Sequence, residues 1–180
     1  MINIVTSNNK KYEEIKTALL PLKSQQVSIE LDEIQELDSI KIINHKILQA
    51  AKHLKSEFIV EDSLLYLSCL NNKLPGPFVK WFEKVFKLNE IYNLCSKLGN
   101  FNANAVSVIG YYKQGEIKIF RGASSGQVVK PKGSKDFGYG AIFQPLGYNQ
   151  TYGQMDRSTK FKISHRAKAV LKLKKYLMSK

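Results

Sequence analysis

Cysteine is nearly absent: Cys69 and Cys95 are the only two in 180 residues, too few for a disulfide framework and without the CxxC spacing of zinc or redox motifs. Both are expected to be buried thiols. No stretch approaches the roughly 20 apolar residues that cross a bilayer. Met1-Ile2-Asn3-Ile4-Val5 gives way at once to polar residues, unlike the basic start and long apolar stretch of a secretory signal. A reducing, soluble, cytoplasmic setting with no membrane partner is therefore expected. Acidic residues are scarce as well, 15 against 28 lysines and arginines, which gives a net charge of +13. Such a surface attracts polyanions, whether nucleic acid, an anionic membrane or a phosphorylated small molecule. The lysines are scattered, with no block longer than a pair such as Lys174-Lys175. Internal repeats, low-complexity segments and linkers are also missing.

What is present is a globular composition, 43% apolar and 24% charged, of a length that suits one α/β domain over residues 1–180. Residues 2–5 read as a buried strand, followed by helical spacing of Tyr12, Ile15, Leu19 and Leu22. Residues 27–31 suggest a second strand, and Ile43, Ile47, Ala50, Ala51 and Leu54 the inner face of a second helix. Phe58-Ile59-Val60 reads as a short central strand ending at Glu61-Asp62-Ser63. Residues 83–98 look helical, and 105–109 with 117–120 suggest a hairpin with a longer turn. Residues 126–129 add a further strand, and 131–153 read as a long loop region lining a site. The chain closes on a helix whose apolar stripe is Ile163, Ala167, Val170, Leu171 and Leu177.

Several positions carry chemistry. The junction Thr6-Ser7-Asn8-Asn9-Lys10-Lys11 offers side-chain donors beside the free backbone N–H groups of a helix start, which suits either a phosphate or plain capping by Asn8. Glu61 and Asp62 stand where a central strand is expected to end, the usual ligand position of open α/β sheets. Neighbouring strand residues point to opposite faces, so one of the two is expected to face a given site. Lys46 falls on or beside the apolar face of its helix, either snorkelling to water or reaching a phosphate. Asp136-Phe137-Gly138-Tyr139-Gly140 sets aromatics among glycines, suited to base stacking or to core packing. Lys160, Ser164, His165 and Arg166 group four donors within seven residues.

Together these segments resemble the inosine triphosphate pyrophosphatase family over nearly the whole chain. The resemblance runs through Thr6–Lys11, Val60-Glu61-Asp62-Ser63, Leu74-Pro75-Gly76-Pro77-Phe78-Val79-Lys80-Trp81-Phe82, Phe120-Arg121-Gly122, Asp136-Phe137-Gly138-Tyr139, Phe143-Gln144-Pro145 and Ser164-His165-Arg166. It implies a long central mixed sheet flanked by helices, two lobes with a substrate cleft between them, and a homodimer. The implied activity is hydrolysis of non-standard purine nucleoside triphosphates to monophosphate and pyrophosphate with Mg2+, Mn2+ being a substitute. By position, the Thr6–Lys11 loop, Lys46 and Lys80 would bind phosphates, with Ser63 beside them, and Asp62 with Glu33, chosen over Glu36, would hold the metal. Asp62 would also orient or deprotonate the attacking water. Phe137 would stack on the purine, with Gly138, Tyr139 and Gly140 around it, while Lys160, His165 and Arg166 would address the phosphate or base edge. The chain departs from the family pattern at Gly140-Ala141, in place of Asp-Pro, and at Gln154, in place of Glu. These departures motivate a first rival, a nucleotide-binding homologue with weakened catalysis or relaxed base selectivity. The charge and aromatics motivate a second, a basic nucleic-acid-binding module.

Overall fold

The computed structural model describes residues 1–134 and 138–179. Two compact units emerge: residues 1–63, 107–122 and 165–180 form the first, and residues 64–106 and 123–164 the second. Neither is one continuous stretch of chain.

The first unit begins with β1 (Ile2–Val5), whose four residues are all buried, and α1 (Asn9–Leu19). The second strand, expected at 27–31, lies earlier: β2 is Ser24–Val27, parallel to β1. Its Ser-Gln-Gln-Val sequence sits at the sheet edge and is not fully buried, so it needs no apolar pattern. Helix α2 (Ser39–His53) starts at Asp38, whose carboxylate accepts from the Ile40 N–H, and buries Ile42, Ile43, Ile47 and Ala50. Strand β3 (Phe58–Leu67) is parallel to β1 and runs straight through the polar triplet Glu61-Asp62-Ser63 that looked like its end. It continues because Leu64, Leu65 and Leu67 are again buried.

The hairpin is longer and its turn tighter than the sequence suggested. Strands β5 (Asn102–Lys113) and β6 (Glu116–Val128) are joined by Gln114-Gly115, with φ of 48° and 89°, as a two-residue primed turn requires. The separate strand expected at 126–129 is the end of β6. At the middle of β6, Gly122 lies so close to the last helix, α6 (His165–Met178), that a Cβ there would stand 2.1 Å from the His165 carbonyl oxygen. Leu171 of the expected α6 stripe faces solvent.

The second unit holds the short β4 (Pro75–Gly76), antiparallel to β3, then α3 (Val79–Val85) and α4 (Leu88–Lys97). The helix expected over 83–98 is thus broken at Phe86-Lys87, where the Glu90 carboxylate accepts from the Lys87 N–H at 2.6 Å and starts α4 afresh. Strand β7 (Phe143–Pro145), antiparallel to β6, and a 3-10 turn at Gly138–Ala141 lie in the expected loop region. Helix α5 (Arg157–Ile163) ends at Ser164. The core joins Leu65, Leu67, Val79, Ile91, Cys95, Ala105, Phe143 and Tyr152. Cys95 is buried and Cys69 half-buried, their sulfurs 3.7 Å apart, and burial pushes the Cys95 thiol up to about 12. Hydrogen-bonded strand order is β2-β1-β3-β5-β6-β7, with β4 on β3, a mixed sheet.

Candidate functional site

In the first unit the chemistry gathers on β3, and both carboxylates are in use. As neighbours on a strand they point to opposite faces. Asp62 meets α2: its Oδ1 is 3.0 Å from Lys46 Nζ. Glu33 comes to the same ammonium from the loop before α2, at 3.5 Å. Lys46 lies on the buried stripe of α2, its side chain 10% exposed, so it is not a lysine snorkelling into open water. Burial alone would push its ammonium down, but Asp62, Glu33 and Glu61 together outweigh that and hold it above the ordinary lysine value. Glu36 is committed elsewhere. Its carboxylate accepts from the Leu37 and Asp38 N–H groups and pairs with Lys41, contacts that lower its pKa. Of the two glutamates weighed from the sequence, Glu33 is the one near Asp62.

Glu61 faces the other way, toward α1 and α6. Its side chain is 3% exposed. Oε1 accepts from Ser63 Oγ at 2.6 Å, from Ser107 Oγ at 2.7 Å and from Arg166 Nε at 3.3 Å, while Oε2 lies 3.0 Å from Lys11 Nζ. Burial pushes the Glu61 carboxyl up, yet the charges of Lys11 and Arg166 and the two hydroxyl donors overcome it, and the group stays ionised far below the usual carboxylate range. Arg166 is buried in the first turn of α6, where it also donates to Ser63 Oγ at 2.7 Å and pairs with Glu14 of α1. His165 beside it is buried.

The segment Thr6–Lys11 is ordered by its own polar groups. Asn8 Oδ1 accepts from the Lys11 N–H at 3.1 Å, capping α1, and Thr6 Oγ1 accepts from the Asn8 N–H at 3.1 Å. Gln26 ties the loop down by donating to the Thr6 carbonyl and to Asn9 Oδ1, each at 3.0 Å. Ser7 and Lys10 are exposed. Of the two readings offered by the sequence, the cap is the one these contacts form.

The remaining residues named from the sequence lie in the second unit. Lys80 is exposed on α3, whereas Lys160 is buried on α5 with Nζ 5.7 Å from the centre of the Tyr152 ring. Phe137 lies outside the described residues. Tyr139 packs edge-on against Phe143, and its hydroxyl reaches the Leu64 carbonyl at 3.4 Å, so its ring belongs to the core. Gly138 opens the 3-10 turn and Gly140 is buried within it, accepting from the Gly153 N–H at 2.8 Å. Gln154 accepts from the Thr151 N–H at 3.2 Å and so steadies the turn that follows β7.

Sequence reasoning weighed Glu61 but left it out of the site, and it did not single out Glu14 or Ser107. A signal existed for each. Ser107 is a polar residue in the apolar run Ala105–Ile109, and Glu14 stands one helical turn after Lys11.

Comparison with known proteins agrees along the whole chain. A family model described as the Ham1 family matches residues 2–176. An inosine triphosphate pyrophosphatase of Candida albicans is 38% identical over 155 residues, covering 84% of this chain and 75% of that one. One from Candida glabrata is 36% identical over 188 residues, covering 98% and 96%. The solved structure of a HAM1 protein from Coxiella burnetii superposes with a TM-score of 0.87 at 22% identity, covering all of both chains, a likeness of fold.

Proposed function

The chain belongs to the Ham1 family, and from that membership we propose that it hydrolyses non-standard purine nucleoside triphosphates, inosine triphosphate among them, to the monophosphate and pyrophosphate. The observation that carries this reading beyond kinship is the convergence of Asp62, Lys46 and Glu33 at one point on β3. A carboxylate beside a buried ammonium suits a reaction in which water attacks an α-phosphorus and negative charge moves onto the leaving pyrophosphate. Asp62 orients the water and receives its proton, while Lys46 balances charge on the phosphate oxygens. No covalent intermediate is needed. Outward donors of Thr6–Lys11 hold the triphosphate tail. Ser63, Lys80, Gly138, Tyr139, Gly140, Lys160 and His165, with Phe137, are assigned to substrate on the strength of the resemblance alone.

A divalent cation fits the donor chemistry. Glu33 and Asp62 are hard oxygen ligands that already converge on one cationic centre, the Lys46 ammonium. Among the described residues no three or more His, Cys, Asp or Glu side chains gather into a complete cage, so phosphate oxygens and water would fill the rest of the shell. Bound there, Mg2+ or Mn2+ would neutralise charge developing on the phosphates. We further assign the activity to one catalytic domain over 1–180 and expect a cytoplasmic homodimer. No helix among the described residues is long and apolar enough to cross a membrane. For a nucleic-acid module, the net charge of +13 is the main support.

The test is product analysis across a panel of nucleoside triphosphates with Mg2+. Pyrophosphate and monophosphate should appear, fastest from inosine or xanthosine triphosphate. Orthophosphate as first product, or equal rates on all common triphosphates, would overturn the reading.

A further inference from the structure

We propose that Glu61 is a positioning residue: a buried carboxylate that holds Lys11 of the phosphate loop and Arg166 of α6 in one fixed arrangement, so that both ends of the substrate are recognised through a single side chain. The proposal rests on the pyrophosphatase reading above. Its basis is the number of elements that meet on one carboxylate. Lys11 comes from α1, Ser63 from β3, Ser107 from β5 and Arg166 from α6, at 2.6–3.3 Å.

Catalytic duty is a poor fit for this group. Oε1 already accepts from Ser63, Ser107 and Arg166, and Oε2 is paired with the Lys11 ammonium, so neither oxygen faces open space for a water. Asp62, on the opposite face, is free of these partners and lies near Glu33 and Lys46. The adjacent acids therefore divide the work, one toward the reacting phosphate and one toward the residues that grip the substrate.

Charge balance explains why the arrangement holds. Lys11 and Arg166 bring two positive charges, and Glu61 and Glu14 bring two negative ones, in a setting where Arg166 is 4% exposed. Arg166 Nε goes to Glu61, Nη2 to Ser63 and Nη1 to Glu14, so three sides of the guanidinium plane are fixed before any ligand arrives. Removing the Glu61 charge leaves one positive charge in excess, releases Lys11 and leaves Arg166 with two of its three fixings, Ser63 and Glu14. On the reading in which Lys11 holds phosphate and Arg166, as the resemblance implies, the purine edge, both placements are then disturbed.

The test is Glu61→Gln, which keeps shape and acceptor but removes charge. KM for inosine triphosphate should rise about tenfold or more, as expected for a lost charge-assisted contact, and the preference over adenosine triphosphate should narrow while kcat changes little. A charge-neutral structural prop would leave that split unmoved. Lys11→Ala should cost less in the Glu61→Gln background than alone, because the two act as a unit. Unchanged KM and preference, a loss confined to kcat, or strict additivity with Lys11→Ala would each overturn the proposal. Should Glu61→Gln not fold, Ser107→Ala keeps the charge and removes one hydrogen bond to Oε1. It should raise KM several-fold, and an unchanged KM in that variant would also overturn it. Binding of inorganic triphosphate, measured by calorimetry, needs no turnover. Weaker binding by Glu61→Gln together with a wild type that releases no pyrophosphate would sink the reaction and leave the positioning role standing.

Discussion

A lysine on an apolar helix stripe is legible from one sequence because it breaks a local pattern, as Lys46 does. The choice of Asp62, which lies 3.0 Å from it, over Glu61 rests on the family resemblance. Glu61 was harder to read. Its partners are spread from Lys11 to Arg166, and nothing local in Glu61-Asp62-Ser63 tells which acid is surrounded by cations. Gln154 holds the Thr151 N–H, a turn-stabilising contact that its amide oxygen makes as a carboxylate would. At this scale Asp62→Asn should keep the fold and lower turnover by about 100-fold or more, the range of a lost acid or base. Circular dichroism and steady-state kinetics check both halves. Near-normal kcat would move the catalytic carboxylate elsewhere.

Elements were legible where an apolar period ran long, as in β1 and α2, and obscure where tertiary pairing replaced it. Edge strand β2 is polar, and β3 continues through three polar residues because Glu61, Asp62 and Ser63 all find partners. The break between α3 and α4 contains neither glycine nor proline, so only the capping contact of Glu90 marks it. Gly122 gives the Phe120-Arg121-Gly122 segment a physical reason. A methyl there would stand 2.1 Å from the His165 carbonyl and 2.4 Å from the Ala169 nitrogen, both helix backbone that cannot step aside. Lys172 fastens the same contact by donating to the Arg121 carbonyl at 2.8 Å. Gly122→Ala should therefore push α6 outward at a cost of about 1–3 kcal/mol. If Arg166 of α6 reads the purine edge, as proposed, the preference for inosine over adenosine triphosphate should narrow as well. A thermal melt with the two kcat/KM values would show it. A stable variant with unchanged preference would mean that α6 is held elsewhere.

For the whole molecule the informative variable is pH, because buried charges of opposite sign set limits on either side of neutrality. Glu61 is held ionised far below its ordinary value of 4.5, chiefly by Lys11 and Arg166 against the cost of burial. Above that ordinary value, folded and unfolded chains both carry the charge, and the pairing contributes its full stability. As pH falls below it, the unfolded chain takes up a proton that the folded one refuses, so stability declines with acid. Lys46 behaves in the opposite sense. Held above 10.5 by Asp62 and Glu33, it contributes fully below that value and loses its contribution as pH rises through the folded value. The charge of +13 steepens the acid limb, since each protonated carboxylate adds to an already positive surface. The melting temperature should thus hold between about pH 5 and 10 and fall on both sides. Glu61→Gln should lower the plateau, and its gap from wild type should shrink steadily below pH 4.5. Lys46→Met should do the same above pH 10.5, leaving the acid limb as it was. Amide exchange localises the effect: residues 58–63 and 107–113, in the strands that carry or face the buried pairs, should lose protection first in acid. A gap between wild type and Glu61→Gln that stays constant from pH 7 to pH 3 would show that the buried carboxylate is not what makes the fold sensitive to acid.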